Sequence, residues 1–101
     1  MNPDTERHHV RLTTVGKPRF HGERARAVRK ARGLSAREVA TRAGIHRRYY
    51  LRLERNERPN VSAINVAAIA FALETNLEYL LGLTDDPRPI ADIFGTGETE
   101  S

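Results

Sequence analysis

Helix-stopping residues cut the middle of this 101-residue chain into short pieces. Gly33, Gly44, Asn56, Pro59 and Gly82 each fall where an apolar helical period ends. Glycine readily takes the left-handed stop of a helix, and proline cannot continue one. Between the stops, apolar residues recur at three and four positions rather than two, which predicts helices and no strand. The expectation is an all-α domain of five short helices, joined by loops of roughly two to six residues. No internal repeat is present, and the length suits one domain.

The first helix is predicted over Gly22–Arg32, with Ala25 and Val28 inward. Ser35-Ala36-Arg37-Glu38 has the spacing of a capping box, so a second helix starts at Ala36 and buries Val39, Ala40 and Ala43 before Gly44 ends it. A third follows over Arg47–Arg55, with Tyr50, Leu53 and Glu54 on one side. Ser62 caps a fourth, Ala63–Glu74, whose buried stripe is Ala63, Val66, Ile69, Ala70 and Leu73. Asn76 caps a short fifth helix carrying Leu77, Leu80 and Leu81. Residues 1–20 are expected to form a flexible basic arm, tied down at its end by Phe20. Residues 21–83 form the helical domain, and 84–101 an acidic tail as loose as the arm. That tail holds one apolar cluster, Ile90-Ala91-Asp92-Ile93-Phe94.

Charge is distributed unevenly. Residues 22–58 carry twelve Lys or Arg against four Asp or Glu, whereas 59–101 carry one against seven. A basic middle beside an acidic end suits a surface for a polyanion and a second surface that faces elsewhere. The absence of cysteine excludes a disulfide scaffold, a thiolate metal site and a cysteine nucleophile. No glycine-rich phosphate loop, nucleophile elbow or paired carboxylates occur within a folded segment, so no enzyme is expected. His8-His9 and His21 lack a ligand spacing, and neither a metal nor another cofactor is expected. No apolar run approaches the roughly 20 residues of a bilayer span, and no secretory leader is visible; the reading is a cytoplasmic protein.

The third helix carries the sharpest signal. At 100° per residue, Arg48, Arg52 and Arg55 lie within about 60° of one another, opposite Tyr50 and Leu53. Arg47 sits off that stripe at the leading end. Two short helices joined by a tight turn let the second enter a major groove, where a forked guanidinium can donate twice to guanine O6 and N7. A merely solvated face would mix Glu and Lys among these arginines.

Gly33-Leu34-Ser35-x-x-Glu38-Val39-Ala40-x-x-Ala43-Gly44-Ile45, followed by Tyr49-Tyr50-Leu51-Arg52-Leu53-Glu54-Arg55, Ala70-x-Ala72-Leu73 and Leu80-Leu81-Gly82, resembles the XRE or Cro/CI-type repressor family. The resemblance runs from Arg24 to about Leu83. It implies a five-helix DNA-binding domain with a helix-turn-helix, acting as a transcriptional regulator and commonly dimeric on a palindromic operator. It implies base reading by Arg47, Arg48 and Arg52, and phosphate contacts by Ser35, Arg37, Arg55 and Arg58. It also pairs Arg29 with Glu54 as a structural ion pair, which suits a carboxylate on the side of Tyr50 and Leu53. The chain departs from the family at Ala36, where Gln is usual, and at His46, where Ser or Thr would cap. It departs again at Asn56 in place of Gly, and at Ala25 in place of a larger aliphatic residue that Phe20 could replace.

On the fourth helix, Ile64, Ala68 and Phe71 share a face opposite the main stripe, an apolar patch in need of cover. Phe20, the tail residues Ile90, Ile93 and Phe94, or a second subunit would supply it. Arg7, Arg11, Lys17 and Arg19 of the arm either remain solvated or follow a minor groove or phosphate track. The expected function is a sequence-specific double-stranded DNA-binding regulator, a repressor and homodimer. The alternative is an antitoxin-like or partner-regulated module whose tails engage another protein.

Overall fold

The computed structural model describes residues 17–58 and 60–89. They form five α-helices: α1 (Gly22–Ala31), α2 (Ala36–Ala43), α3 (Arg47–Glu54), α4 (Ala63–Leu73) and α5 (Leu77–Leu80). Local chemistry sets most of the ends. Ser35 Oγ accepts from the Glu38 amide at 3.0 Å while Glu38 Oε1 accepts from the Ser35 amide at 2.7 Å, closing the capping box of α2. Ser62 Oγ accepts from the Asn65 amide at 3.1 Å to cap α4, and Asn76 Oδ1 accepts from Tyr79 at 2.7 Å to cap α5. Gly44 ends α2 at φ 73°. Glu74 ends α4 at φ 59°, a left-handed stop on a residue other than glycine or asparagine that the sequence had not flagged.

Helix α4 lies at the centre, packed on α2, on α1 and on α5. Val66, Ile69 and Leu73 are fully buried with Val39 of α2, Tyr50 and Leu53 of α3 and Leu80 of α5. Ala25, Ala40, Ala70 and Ala72 are also buried, and their small side chains let the helices approach closely. Phe20 is buried in the same core as Ala25. The buried stripe of α4 differs from the expected one in two places. Ala63, in the first turn, is exposed, and Ala72 is buried. A helix apolar on nearly every side gives periodicity little to discriminate.

The segment after α5 departs from expectation. The sequence predicts a loose tail from residue 84, yet residues 84–89 are fastened to the body. Arg24 of α1 donates to the Tyr79 carbonyl at 2.8 Å and the Thr84 carbonyl at 2.6 Å, and pairs with Asp85 at 2.7 Å. Asn76 Nδ2 donates to the carbonyls of Asp86 and Arg88, and Thr75 Oγ1 to that of Pro87. The strap contains prolines and lacks a regular period, so nothing local advertised its order. Arg7, Arg11, His8, His9 and the cluster Ile90–Phe94 lie outside the described residues. Among the described residues no helix is long and apolar enough to cross a membrane, and no group of three His, Cys, Asp or Glu is assembled.

Candidate nucleic-acid interface

Helices α2 and α3 are joined by Gly44, Ile45 and His46. No atom lies within 4 Å of where a Cβ at Gly44 would sit. This glycine is therefore required by its backbone conformation and not by crowding. The turn leaves α3 with one face sunk in the protein: Tyr50 and Leu53 are fully buried and Glu54 nearly so. Arg47, Arg48, Arg52 and Arg55 on the other side are exposed.

His46, Arg47, Arg48, Tyr49 and Arg52 line an open groove of about 460 Å³. Among the described residues, Arg47, Arg48 and Arg52 have no hydrogen-bond, ion-pair or ring partner. Three guanidinium groups thus present their donors and full charge to solvent. Arg37, near the start of α2, is likewise exposed and unpartnered among the described residues. The hydroxyl of Ser35 is already engaged in its capping box. Arg55 is tied to Glu57 at 3.0 Å, whereas Arg58 packs over the Tyr49 ring at 5.7 Å from its centroid.

Beneath this surface Arg29 and Glu54 meet in a two-pronged ion pair, Nε to Oε2 at 2.6 Å and Nη2 to Oε1 at 3.0 Å. The side chains are 14% and 4% exposed. Hydrogen bonding to Glu54 raises the Arg29 pKa above its already high ordinary value. Arg29 also donates to the Leu34 carbonyl at 3.1 Å, so one side chain links α1, α3 and the entry to α2. The Tyr50 hydroxyl is buried beside this pair without a hydrogen-bond partner among the described residues. Burial, and then the Glu54 carboxylate, push its pKa well above the usual phenol range.

Two long-range contacts of the site, made by Tyr49 and Asn56, carry no sequence signal, although the left-handed turn at Asn56 is the one its residue type predicts. Tyr49, half-buried at the edge of α3, accepts from Asn65 Nδ2 of α4 at 3.2 Å. Asn56 ends the loop turn at φ 58°, and its Oδ1 accepts from the Gly22 amide at 2.8 Å. It thereby supplies the cap that His21 does not give α1. On α4, Ile64 and Phe71 are 80% and 81% exposed and Ala68 is half-buried. No described residue covers this face, although Phe20 is in the core.

The helix-turn-helix family profile HTH_3 matches residues 26–80, more than half of the chain. The chain belongs to the XRE-type helix-turn-helix family. That match spans α2, α3 and α4 and stops before the strap. No curated protein matched in a sequence comparison. Solved structures agree with the family. The restriction-modification controller protein C.AhdI from Aeromonas hydrophila is 39% identical, with TM-score 0.56, covering 58% of this chain and 88% of that one. SinR, described as a master regulator for biofilm formation and solved in complex with DNA, is 32% identical, with TM-score 0.57, over 59% of this chain and 95% of that one. The DNA-binding domain of SinR from Bacillus subtilis gives 32% identity and TM-score 0.56 over 59% and 87% of the two chains. In the SinR–SinI complex, this XRE-type chain spans only 58% of the chain it matches.

Proposed function

We propose that the protein is a sequence-specific double-stranded DNA-binding transcriptional regulator, a cytoplasmic repressor that binds a palindromic operator as a homodimer. The observation that carries this reading is the outward, unpartnered set Arg47, Arg48 and Arg52 on a helix anchored by Tyr50 and Leu53. In a major groove these three arginines would read base edges, guanine O6 and N7 above all. Ser35 and Arg37 at the head of α2, with Arg55 and Arg58 after α3, would set the pose through the phosphates. The exposed face of Ile64, Ala68 and Phe71 supports pairing of two copies. A two-fold dimer would place its α3 helices about 34 Å apart, in successive major grooves. The same face also fits a protein partner, as in a partner-regulated module, and the neighbour SinR was solved with SinI.

Selection of bound sequences from random duplex DNA tests the reading. A two-fold-symmetric motif containing guanine is the expected result. On that duplex Arg48→Ala or Arg52→Ala should cost about 1–3 kcal/mol and relax sequence preference. Enrichment of no motif, or an Arg52→Ala variant with operator and random-DNA affinities both unchanged, would overturn it. Sedimentation with and without the duplex separates a homodimer from a monomer awaiting a different partner.

A further inference from the structure

We propose that Tyr49 is a positioning residue that aims Arg58 at the duplex backbone; this rests on the DNA-binding reading above. Tyr49 lies on α3 next to the reading arginines, and its ring forms part of their groove. Its hydroxyl is held by Asn65 Nδ2 of α4 at 3.2 Å. The main chain of Asn65 is itself fixed, because its backbone N–H donates to Ser62 Oγ of the cap. The phenol therefore bridges the third and fourth helices, and the Arg58 guanidinium packs over its ring, 5.7 Å from the centroid.

The two loop arginines differ in kind. Arg55 is paired with a carboxylate, which partly offsets its charge and occupies its Nε. Arg58 is exposed and has no carboxylate partner among the described residues. A ring face attracts a cation through its quadrupole and leaves both the net charge and the N–H donors intact. The stack therefore orders a long, flexible side chain without neutralising it. Ordering before binding lowers the entropy lost when the side chain meets a phosphate. A phosphate contact of this type tightens all duplexes alike, since it carries no base information.

The test is a coupling experiment on the full chain, with fluorescence titrations of the selected duplex and of a random duplex at several salt concentrations. Arg58→Ala should weaken both duplexes alike and reduce the salt slope by about one. Tyr49→Leu should weaken both by about two- to fivefold, as loss of an exposed cation–aromatic contact predicts. In the Arg58→Ala background Tyr49→Leu should add almost nothing. Tyr49→Phe, which retains the ring, should keep most of the affinity. Independent, multiplying losses from Tyr49→Leu and Arg58→Ala would overturn the proposal, as would a Tyr49→Leu change confined to sequence preference. Should Tyr49→Leu fail to fold, nuclear magnetic resonance of the free wild-type protein still decides. Arg58 side-chain protons shifted upfield by the ring support the stack, and shifts of an unstructured arginine refute it. That spectrum also separates failure of the clamp from failure of DNA binding, since it needs no duplex.

Discussion

The Gly22 amide and the Asn56 side chain are joined at 2.8 Å, so the residue that closes the third helix caps the first. Asn56 Nδ2 also donates to Glu23 Oε1 at 3.0 Å, and the loop beyond α3 is thereby locked to the start of α1. Glycine is the family's usual residue here because the backbone is left-handed, and asparagine tolerates that conformation while adding two hydrogen bonds. Asn56→Gly should keep the turn and lose the cap, at about 1 kcal/mol. Asn56→Ala should cost about 1–2 kcal/mol more, because it also strains the turn. Urea unfolding of the three proteins gives the order, and a glycine variant as stable as wild type would refute the capping role.

The same contact sets a pH dependence. The hydrogen bond from Asn56 is the main reason the Glu23 carboxyl falls from its ordinary 4.5 to about 2. A depressed carboxyl pKa stabilises the fold above the unfolded value, and that contribution disappears as pH falls from about 4.5 towards 2. The Glu23 side chain is 58% exposed, so solvent screening limits the effect to about 1 kcal/mol or less. The stability gap between wild type and Asn56→Ala should therefore be larger near pH 7 than near pH 2.5 by roughly this amount. A gap independent of pH would show that Glu23 gains nothing from Asn56.

The ion pair of Arg29 and Glu54 should behave as a unit. Glu54→Ala strands a guanidinium that is 14% exposed, and should cost about 3–5 kcal/mol. Arg29→Ala should cost a similar amount, and the double variant Arg29→Ala with Glu54→Ala less than the sum of the two single changes. Thermal unfolding of all three measures the coupling. Additive losses would mean that the pair contributes no mutual stabilisation.

Removal of the Tyr50 hydroxyl should have the opposite sign. The group is buried without a hydrogen-bond partner among the described residues, and only the adjacent Arg29–Glu54 pair offsets part of its desolvation. Tyr50→Phe keeps the ring in the core and should be neutral, or stabilising by about 1 kcal/mol. A melting temperature lowered by several degrees would place a bond on that oxygen.

Much of the fold was legible because its signals are local. The Ser35–Glu38 box, the Ser62 and Asn76 caps and the Gly44 stop each act within a few residues, and all sit where the sequence put them. The charge pattern was less transparent. A basic middle reads as one surface, yet four of its arginines donate to backbone oxygens or a carboxylate of the body. Arg24 holds the strap, Arg29 holds Glu54, Arg32 donates to the Leu73 carbonyl at 2.6 Å and Arg42 to that of Ala72 at 3.4 Å. Arg47, Arg48 and Arg52 differ from these only in what lies opposite them in space. Composition cannot make that distinction. The contacts of Asn56 and Tyr49 are hidden from the sequence for the same reason, since their partners Gly22 and Asn65 are distant in the chain.

Gly22 and Gly44 separate two reasons for a glycine. At Gly44 the backbone is left-handed but the surrounding space is open, so Gly44→Ala should cost only the conformational strain, about 1–2 kcal/mol. Gly22 has no positive φ, and alanine is the better helix former by about 1 kcal/mol. A Cβ there would nonetheless overlap the carbonyl oxygens of Leu53 and Glu54 at the end of α3. Backbone atoms cannot rotate away, so α1 must shift from α3, breaking the Asn56 cap and disturbing the Arg29–Glu54 pair. Gly22→Ala should therefore be the more damaging substitution, by about 1–3 kcal/mol beyond the strain at Gly44. It should also weaken DNA binding in step with the displaced α3. Chemical denaturation of the two variants in parallel decides between crowding and conformation, and a Gly22→Ala protein more stable than Gly44→Ala would refute the close contact of α1 and α3.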